Sequence, residues 1–280
     1  MRARKRFGQN FLEPAWVAKV IRAIDPEPRD IFTEIGPGRG ALTRPLAARA
    51  KAVVAFEIDR DLAADLEATA PPNVGVIESD FLDASMGFGG LADSTAGDSR
   101  GDQRLRIVGN LPYNVAAPIL FRILEWYEAS ARRVPTPIVD ATVMLQREVA
   151  DRLVAKPGTK EYGVLTVLIR HWADVERLLA LPPGAFRPAP KVHSSLVRLR
   201  FHAPDPSVRD PAVFTAVVQA VFTRRRKTLA NALLAYAPPQ PVPRPVEALA
   251  TTGIDGTRRP ETLTIAEFAR LSDAYTSDSR

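Results

Sequence analysis

The fold is decided by the stretch Ile31-Phe32-Thr33-Glu34-Ile35-Gly36-Pro37-Gly38-Arg39-Gly40, an apolar β-rich run that leads into a glycine-rich turn. A helical pattern follows over 41–50, so the segment predicts a strand, a tight turn and a helix. Glycines let the backbone approach a ligand closely, and a helix start offers free N–H groups. The stretch therefore predicts a ligand-binding turn at the carboxyl end of a strand.

The same alternation continues along the middle of the chain. Further β-rich runs occupy 53–57, 74–78, 105–109 and 141–145, with helical patterns near 61–68 and 146–155. Strands that alternate with helices predict a mostly parallel sheet with helices on both faces. Two later runs, 175–181 and 195–201, flank a proline-rich segment, and we expect them to form an antiparallel edge.

Two segments interrupt the pattern of strands and helices. Residues 85–104 are rich in Gly, Ser and Asp and predict a long loop. Residues 203–211 carry three prolines and predict a domain boundary. We therefore expect an α/β domain over 1–203 and a small helical domain over 204–280. Within the second domain, the pattern predicts helices over 212–236 and 265–275.

Composition limits the possible chemistry. The 280 residues include 46% hydrophobic residues, enough for a sizeable core, and no cysteine, which excludes disulfides, thiolate nucleophiles and Cys-based zinc sites. The three histidines form no metal-ligand spacing, so we expect no metal. With neither an apolar run of membrane-spanning length nor a signal-peptide pattern, we expect a cytoplasmic protein and no membrane partner.

Basic residues cluster at two places, although the net charge is only +6. The first cluster is Arg2, Arg4, Lys5 and Arg6, and the second is Arg224, Arg225, Arg226 and Lys227. Such clusters are typical of polyanion binding, and we expect RNA phosphate contacts from both. Two alternatives stay open. The first cluster can be a solubilising tail, and the second, which the pattern places on a helix, can pair with acids or face the first domain.

Acidic residues accompany the first three predicted strands. They are Glu34 before the glycine turn, Glu57 at the end of the second strand and Asp80 after the third. Glu57 is placed to bind a ribose diol, and Gly36, Gly38 and Ala41 then also satisfy a dinucleotide fingerprint. The charge of Glu34 disfavours a pyrophosphate and favours the cationic S-adenosylmethionine. Asp80 can then accept a hydrogen bond from the adenine amino group of that cofactor.

The fourth strand is followed by Asn110-Leu111-Pro112-Tyr113. An exocyclic adenine amine is a poor nucleophile, because its lone pair is delocalised into the ring. Two acceptors on its protons, the Asn110 side-chain oxygen and the Leu111 carbonyl, favour a pyramidal nitrogen with its lone pair directed at a methyl donor. Pro112 stiffens the loop, and Tyr113 can stack on the base. A simple strand-ending turn is the alternative.

A second aromatic residue, Phe186, lies in the proline-rich segment 182–192. The prolines favour an extended and stiff segment. Phe186 is therefore expected to close the opposite face of a base drawn out of its stack. The alternative is an aromatic residue of the core.

Together these residues resemble the ribosomal RNA adenine N6-dimethyltransferases that act on the bacterial small subunit. The matching segments run in order over nearly the whole chain: 6–12, 34–43, 57–59, 110–114, 146–150, 182–194 and 225–231. The resemblance implies a Rossmann-like class I methyltransferase domain followed by a small helical domain. Two departures are Ser79 before Asp80, where many relatives have glycine, and the long segment 85–104.

The resemblance also implies a substrate and a set of site residues. The cofactor contacts that carry over from the family are Asn10, Leu12, Gly36, Glu57, Asp80 and Asn110. We add Gln9, Glu34 and Gly38 to the expected cofactor site, and the residues expected from their own chemistry to act on the base are Asn110, Leu111, Pro112, Tyr113 and Phe186. The implied reaction is dimethylation of two adjacent adenosines near the 3′ end of 16S rRNA within a pre-30S particle, by a monomer.

Three other functions are compatible with parts of this sequence. A large-subunit rRNA adenine methyltransferase that confers antibiotic resistance shares the cofactor motifs, but 186–192 and 225–231 favour the small-subunit enzyme. A non-catalytic ribosome assembly factor would not be expected to keep the whole set of site residues, which comprises Gly36, Glu57, Asp80, Asn110 and Tyr113. A dinucleotide-dependent dehydrogenase needs a hydride-transfer acid, and the sequence offers none.

Overall fold

The computed structural model describes residues 10–84, 104–131, 138–238 and 243–276. Positions Arg2, Arg4, Lys5, Arg6 and Gln9, together with residues 85–103 of the expected loop, lie outside these ranges. The chain divides into two compact units. The first comprises Met1–Ala150 and Val175–Phe201, and the second comprises Asp151–Asp174 and His202–Arg280.

The strands of the described residues are numbered in chain order. They are β1 (Phe11–Leu12), β2 (Asp30–Ile35), β3 (Ala52–Glu57), β4 (Val74–Glu78), β5 (Arg104–Asn110), β6 (Ile138–Gln146), β7 (Ala173–Leu181), β8 (Phe186–Arg187) and β9 (Ser194–Phe201). The helices are α1 (Pro14–Ile24), α2 (Thr43–Ala47), α3 (Arg60–Glu67), α4 (Ala116–Ala131), α5 (Arg147–Leu153), α6 (Val164–Arg170), α7 (Pro211–Thr223), α8 (Leu229–Leu233), α9 (Pro245–Thr252) and α10 (Ile265–Asp273). Within the described ranges, none of these helices combines the length and the apolar character that crossing a bilayer requires.

A seven-stranded sheet forms the centre of the first unit, in the order β4-β3-β2-β5-β6-β9-β7. The pairs β4–β3, β3–β2, β2–β5 and β5–β6 are parallel, and β9 runs antiparallel to β6. The predicted parallel sheet with an antiparallel edge is therefore confirmed. A second, two-stranded sheet pairs β1 with β8 antiparallel and sets Leu12 opposite Phe186.

Burial on both faces explains why the central strands are so apolar in sequence. Every residue of β2 and of β3 is buried, as is typical of parallel strands covered by helices on each side. A buried cluster of charged side chains lies near the amino ends of the strands. In it, Arg106 donates hydrogen bonds to Asp30 at 2.8 Å and to Asp140 at 2.9 Å. The acidic residues Glu34 and Glu57 lie near the carboxyl ends of β2 and β3, so that edge of the sheet carries buried acidic side chains.

The second unit includes a segment that the sequence did not assign to it. Residues 151–174 were expected within 1–203, but they pack with the C-terminal helices. The Tyr162 hydroxyl donates to the Leu263 carbonyl at 2.8 Å, and the His171 ring lies 4.3 Å from the Phe214 ring. Because these contacts join residues far apart in sequence, a single linear boundary near 203 does not describe the division.

The helix predicted over 212–236 is wrong in its length. Helix α7 ends at Thr223, a turn follows over 224–227, and α8 begins only at Leu229. The basic block therefore lies in a turn and not along a helix. Its position suits its charge, because the carboxyl end of a helix carries partial negative charge that cations stabilise. Thr228 adopts an extended conformation just before α8, which ends any continuous helix.

Candidate active site

The glycine-rich turn connects β2 to α2 and depends on left-handed backbone angles. Gly36, Gly38 and Gly40 have φ values of 66°, 57° and 75°, which residues with side chains rarely adopt. Space is also short, because a Cβ on Gly40 would lie 2.8 Å from Leu66 Cδ1, and one on Gly38 would lie 3.0 Å from the Phe11 ring. The sequence thus uses glycine here for both conformation and close packing.

Glu57, the last residue of β3, holds this turn in place. One carboxylate oxygen accepts a hydrogen bond from Gly38 N, and the other accepts one from Asp59 N, both at 2.9 Å. Burial raises the pKa of Glu57, although these backbone donors oppose the rise. A carboxylate has about four acceptor positions, so two bonds leave capacity for a bound diol.

A cavity of about 760 Å³, counted with its open mouth, lies at the carboxyl edge of the sheet. It brings together ten of the residues assigned from sequence: Asn10, Leu12, Glu34, Gly36, Gly38, Glu57, Asn110, Leu111, Pro112 and Tyr113. An adjoining pocket contains Asp80 and shares Gly36, Ile58 and Pro112 with the first. The strand order brings these residues to one edge, because β3, β2 and β5 are neighbours.

Asn110 ends β5 and is oriented by the N-terminal part of the chain. Its side-chain Nδ2 donates to the main-chain carbonyl of Asn10 at 2.7 Å. That bond uses the amide nitrogen and therefore leaves Oδ1 as the acceptor for a substrate. The rotamer needed for accepting from an amine is thus set before any substrate arrives.

Tyr113 lines the same cavity, and its hydroxyl is tethered. The Tyr113 and Ser194 hydroxyl oxygens lie 2.6 Å apart in a hydrogen bond. Burial raises the pKa of the Tyr113 phenol, so this hydroxyl stays protonated at neutral pH. The aromatic ring is therefore a neutral surface at the edge of the cavity.

Phe186 is placed differently from its expected role. Its exposed fraction is 0%, it does not line the cavity, and it belongs to the core cluster that contains Leu12 and Leu196. Pairing of β8 with β1 draws the ring inward, since Phe186 lies opposite Leu12. In this structure Phe186 is a core aromatic residue, the alternative that the sequence left open, and it presents no face to a base.

Comparison with known proteins identifies the family. The family model described as ribosomal RNA adenine dimethylase matches residues 1–277. The chain is 42% identical over 276 residues to the ribosomal RNA small subunit methyltransferase A of Acinetobacter baylyi, covering 97% of this chain and 92% of that protein. It is 41% identical over 280 residues to the protein of the same name from Laribacter hongkongensis, covering 99% and 97%.

The chain belongs to the ribosomal RNA adenine dimethylase family. It is accordingly an S-adenosylmethionine-dependent rRNA methyltransferase. Two solved structures are similar over nearly their whole length. A dimethyladenosine transferase from Plasmodium falciparum has a TM-score of 0.71 at 22% identity and covers 93% of this chain and 95% of that chain. The 23S rRNA methyltransferase ErmE has a TM-score of 0.60 at 27% identity and covers 95% and 99%.

The cavity of this family member suits the cationic cofactor. Glu34 is only 2% exposed, and its Oε2 is buried with no hydrogen-bond partner among the described residues. A buried acid that lines a cavity and has one oxygen without a hydrogen-bond partner favours a cationic ligand. We propose that Glu34 faces the charged end of the cofactor, Glu57 its ribose and Asp80 its adenine.

The charge of Glu34 predicts a pH dependence of cofactor binding. Burial raises the pKa of Glu34 to about 7; the Thr43 side-chain hydroxyl opposes the rise, and the negative charge of Glu57 adds to it. The free protein therefore holds a proton on Glu34 below that pH, whereas a cationic ligand favours the ionised form. We expect cofactor affinity to increase as the pH rises from about 5 towards 7 and proton release to accompany binding.

Calorimetry in buffers of different ionisation enthalpy measures that proton release directly. Glu34→Gln should bind the cofactor more weakly and lose the pH dependence. In the free protein, the raised pKa also means that stability falls as the pH rises from the unfolded value of 4.5 towards 7. An affinity that is flat with pH in the wild type, or that rises equally in Glu34→Gln, would contradict this role.

Several cavity residues were not assigned a role from the sequence. They are Phe11, Leu42, Ile58 and Met144 in the first cavity, and Phe81, Leu82 and Asn114 in the adjoining pocket. One indication for Ile58 was present in the sequence, because it directly follows the acid that ends β3. In the structure its apolar side chain is exposed. The indication for Phe11 was that it lies within the family segment 6–12. The Arg39 guanidinium lies 4.4 Å from the Phe11 ring.

Proposed function

We propose that this enzyme transfers methyl groups from S-adenosylmethionine to N6 of two adjacent adenosines near the 3′ end of 16S rRNA. The observation that carries the proposal is the hydrogen bond from Asn110 Nδ2 to Asn10 O, which turns Oδ1 of Asn110 into a fixed acceptor. Leu111 and Tyr113 line the same cavity. The product would be N6,N6-dimethyladenosine.

The proposed mechanism is positioning without a strong base. When bound, the cofactor would supply the methyl group on a sulfonium that leaves as a neutral thioether, and the methylated nitrogen would lose one proton to water. Asn110 Oδ1 and the Leu111 carbonyl accept hydrogen bonds from the adenine amine and favour a pyramidal nitrogen whose lone pair points at that methyl. Tyr113 stacks on the base, which must leave the RNA stack to reach the cavity. Pro112 removes a backbone donor and restricts the loop.

The small subunit is the favoured target over the large subunit. Curated relatives from Acinetobacter, Laribacter and Salmonella, at 42%, 41% and 38% identity over nearly the full length, are all named small subunit methyltransferase A. ErmE, named a 23S rRNA methyltransferase, has the same fold at 27% identity. We further propose that the enzyme acts as a cytoplasmic monomer on a pre-30S particle.

The test is methyl transfer from labelled S-adenosylmethionine to purified small subunits that lack the modification, with large subunits and free RNA alongside. Digestion and mass analysis then identify the modified base. Dimethyladenosine in the small subunit alone supports the proposal. Label in large-subunit RNA would instead assign the chain to the antibiotic-resistance activity. Bound cofactor with no methyl transfer to any RNA would favour a non-catalytic assembly factor.

The basic block of the second unit is proposed to contact RNA phosphates. Arg225 is partly engaged within the unit, since its Nη2 donates to Thr159 O at 3.3 Å and its Nε lies 3.7 Å from a Glu261 carboxylate oxygen. Arg226 and Lys227 are exposed, and in the described part of the chain neither forms an ion pair. These two are therefore the better candidates for phosphate contact.

Replacing Arg226 and Lys227 together with alanine should weaken binding to the small subunit and flatten its salt dependence. Each lost phosphate contact is expected to reduce the slope of log affinity against log salt by about 1. The matched control is Arg259→Ala with Arg270→Ala, which removes the same charge from exposed positions of the same unit. Equal salt slopes in both double variants and the wild type would make the block structural.

A further inference from the structure

Ser194 occupies a position that two neighbouring segments fix. It is the first residue of β9, pairs with Gln146 across the antiparallel edge and is only 1% exposed. The preceding residue, His193, accepts a hydrogen bond from Arg147 N at 2.9 Å through its main-chain carbonyl. The strand pairing and this bond together hold the Ser194 backbone and so place its side chain at a fixed point of the sheet.

That hydroxyl contacts the catalytic motif at its aromatic end. Its oxygen lies 2.6 Å from the Tyr113 hydroxyl oxygen, across 81 positions of sequence. Tyr113 itself lies in a turn between β5 and α4 and is half-buried. A ring attached to a turn can swing about χ1 and rotate about χ2. A hydrogen bond to the phenolic oxygen, which lies on the χ2 axis, stops the swing about χ1, and the preference of a phenolic O–H for the ring plane then favours one ring orientation.

Tyr113 bears more of the base-stacking role than the sequence indicated. Phe186 is buried in the core, so it offers no second surface. Phe11 does line the cavity, but its ring already packs against the Arg39 guanidinium and close to Gly38. The orientation of the Tyr113 ring is therefore the main aromatic constraint on a base that enters beside Asn110.

We propose that Ser194 is a positioning residue for methyl transfer, which acts by holding the Tyr113 ring in its stacking orientation through the hydroxyl–hydroxyl bond. This inference rests on the proposed adenine N6 dimethylation. Ser194 itself does not line the cofactor cavity, so its effect falls on the base and not on cofactor affinity.

The second methyl transfer should depend on Ser194 more than the first. Unmodified adenine has two N6 protons, one for Asn110 Oδ1 and one for the Leu111 carbonyl. After one transfer a single proton remains, so one of these two hydrogen bonds is lost. Stacking on Tyr113 then provides a larger share of the positioning. Loosening the ring should therefore leave monomethyladenosine as an accumulating product.

Ser194→Ala tests the inference, with Ser195→Ala as the matched control. Ser195 is 2% exposed and is the next residue of β9, so its side chain points to the opposite face of the sheet. Ser194→Ala should lower kcat on small subunits by about tenfold or more, raise the ratio of monomethyl to dimethyl product and leave the cofactor Kd unchanged. Ser195→Ala should match the wild type in all three.

Tyr113→Phe provides a second, independent variant, because it keeps the ring and removes only the hydroxyl. It should reproduce the Ser194→Ala product ratio, and the double variant should be no worse than either single variant. The inference is overturned if the ratio in Tyr113→Phe stays at the wild-type value, or if the two effects add. Wild-type enzyme that leaves small subunits unmethylated would instead overturn the proposed function, a result visible in the same assay.

Discussion

Asn110→Ala is expected to abolish methyl transfer in practice, with a loss on the order of 10²–10³-fold or more in the single-turnover rate at saturating cofactor. The reason is geometric. Asn110 Nδ2 is held by the Asn10 carbonyl at 2.7 Å, so Oδ1 is a pre-oriented acceptor for the adenine amine. Alanine removes that acceptor and leaves the amine nitrogen conjugated with its ring. The measurement is rapid-quench methyl transfer to small subunits.

Asn110→Asp is a more specific variant, because aspartate keeps the shape of the side chain and still provides an acceptor oxygen. It cannot donate to the Asn10 carbonyl, so one carboxylate oxygen would face that carbonyl at close range. We expect a loss close to that of alanine, while thermal unfolding shows that both variants fold. Near-normal turnover of Asn110→Ala would refute the positioning mechanism. Near-normal turnover of Asn110→Asp alone would show that the Asn10 contact is dispensable.

The central sheet was predictable because its signals are local. Runs such as 31–35 and 53–57 are mostly apolar, as buried parallel strands require, and β2 and β3 are indeed buried along their whole length. Parallel order then places the ends of these strands at one edge. For that reason, sequence reasoning also indicated which acidic residues would meet there, and Glu34 and Glu57 do line one cavity.

The features that could not be predicted depend on contacts between distant residues. The Asn10–Asn110 and Ser194–Tyr113 bonds span 100 and 81 positions, and no local pattern specifies either. Phe186 has a sequence context that fits a site residue, yet pairing with Leu12 in a separate two-stranded sheet buries it. The local pattern of β8 contains no information about which strand it will meet.

The same limitation explains one of the two errors in the C-terminal half. Residues 151–174 belong to the second unit through contacts such as Tyr162 with Leu263, which only the folded chain creates. The predicted helix over 212–236 failed for a different reason. Its apolar spacing continues past the basic block, but α7 ends at Thr223 and the block occupies the turn. The spacing of apolar residues indicates which side chains are buried, but it does not show where one buried helix ends and the next begins.

Glu57→Ala is expected to raise the cofactor Kd by about 10–100-fold, because hydrogen bonds to a charged group are worth about 1.5–3 kcal/mol each. The carboxylate has two proposed tasks. It binds the cofactor ribose, and it anchors the glycine turn through Gly38 N and Asp59 N, both at 2.9 Å. Alanine removes both. Calorimetric titration with S-adenosylmethionine measures the result.

Glu57→Gln separates charge from shape. The amide oxygen can accept from only one of the two backbone donors, and the amide nitrogen faces the other as a second donor. Cofactor affinity should therefore follow the order wild type, glutamine, alanine. The control is Glu67→Ala, an exposed acid on α3 whose loss changes the net charge equally. Unchanged affinity in Glu57→Ala would refute the ribose role.

The two sets of variants should also differ in which kinetic constant they change. Glu57 lies on the cofactor side of the cavity, so its contacts are the same before and during methyl transfer. Their loss should raise the KM for the cofactor and leave kcat near normal at saturation. Asn110 contributes an interaction that strengthens as the amine becomes pyramidal, so its loss should lower kcat even at saturation. A kcat loss in Glu57→Ala that saturating cofactor does not restore would show that the glycine turn also positions the transferred methyl group.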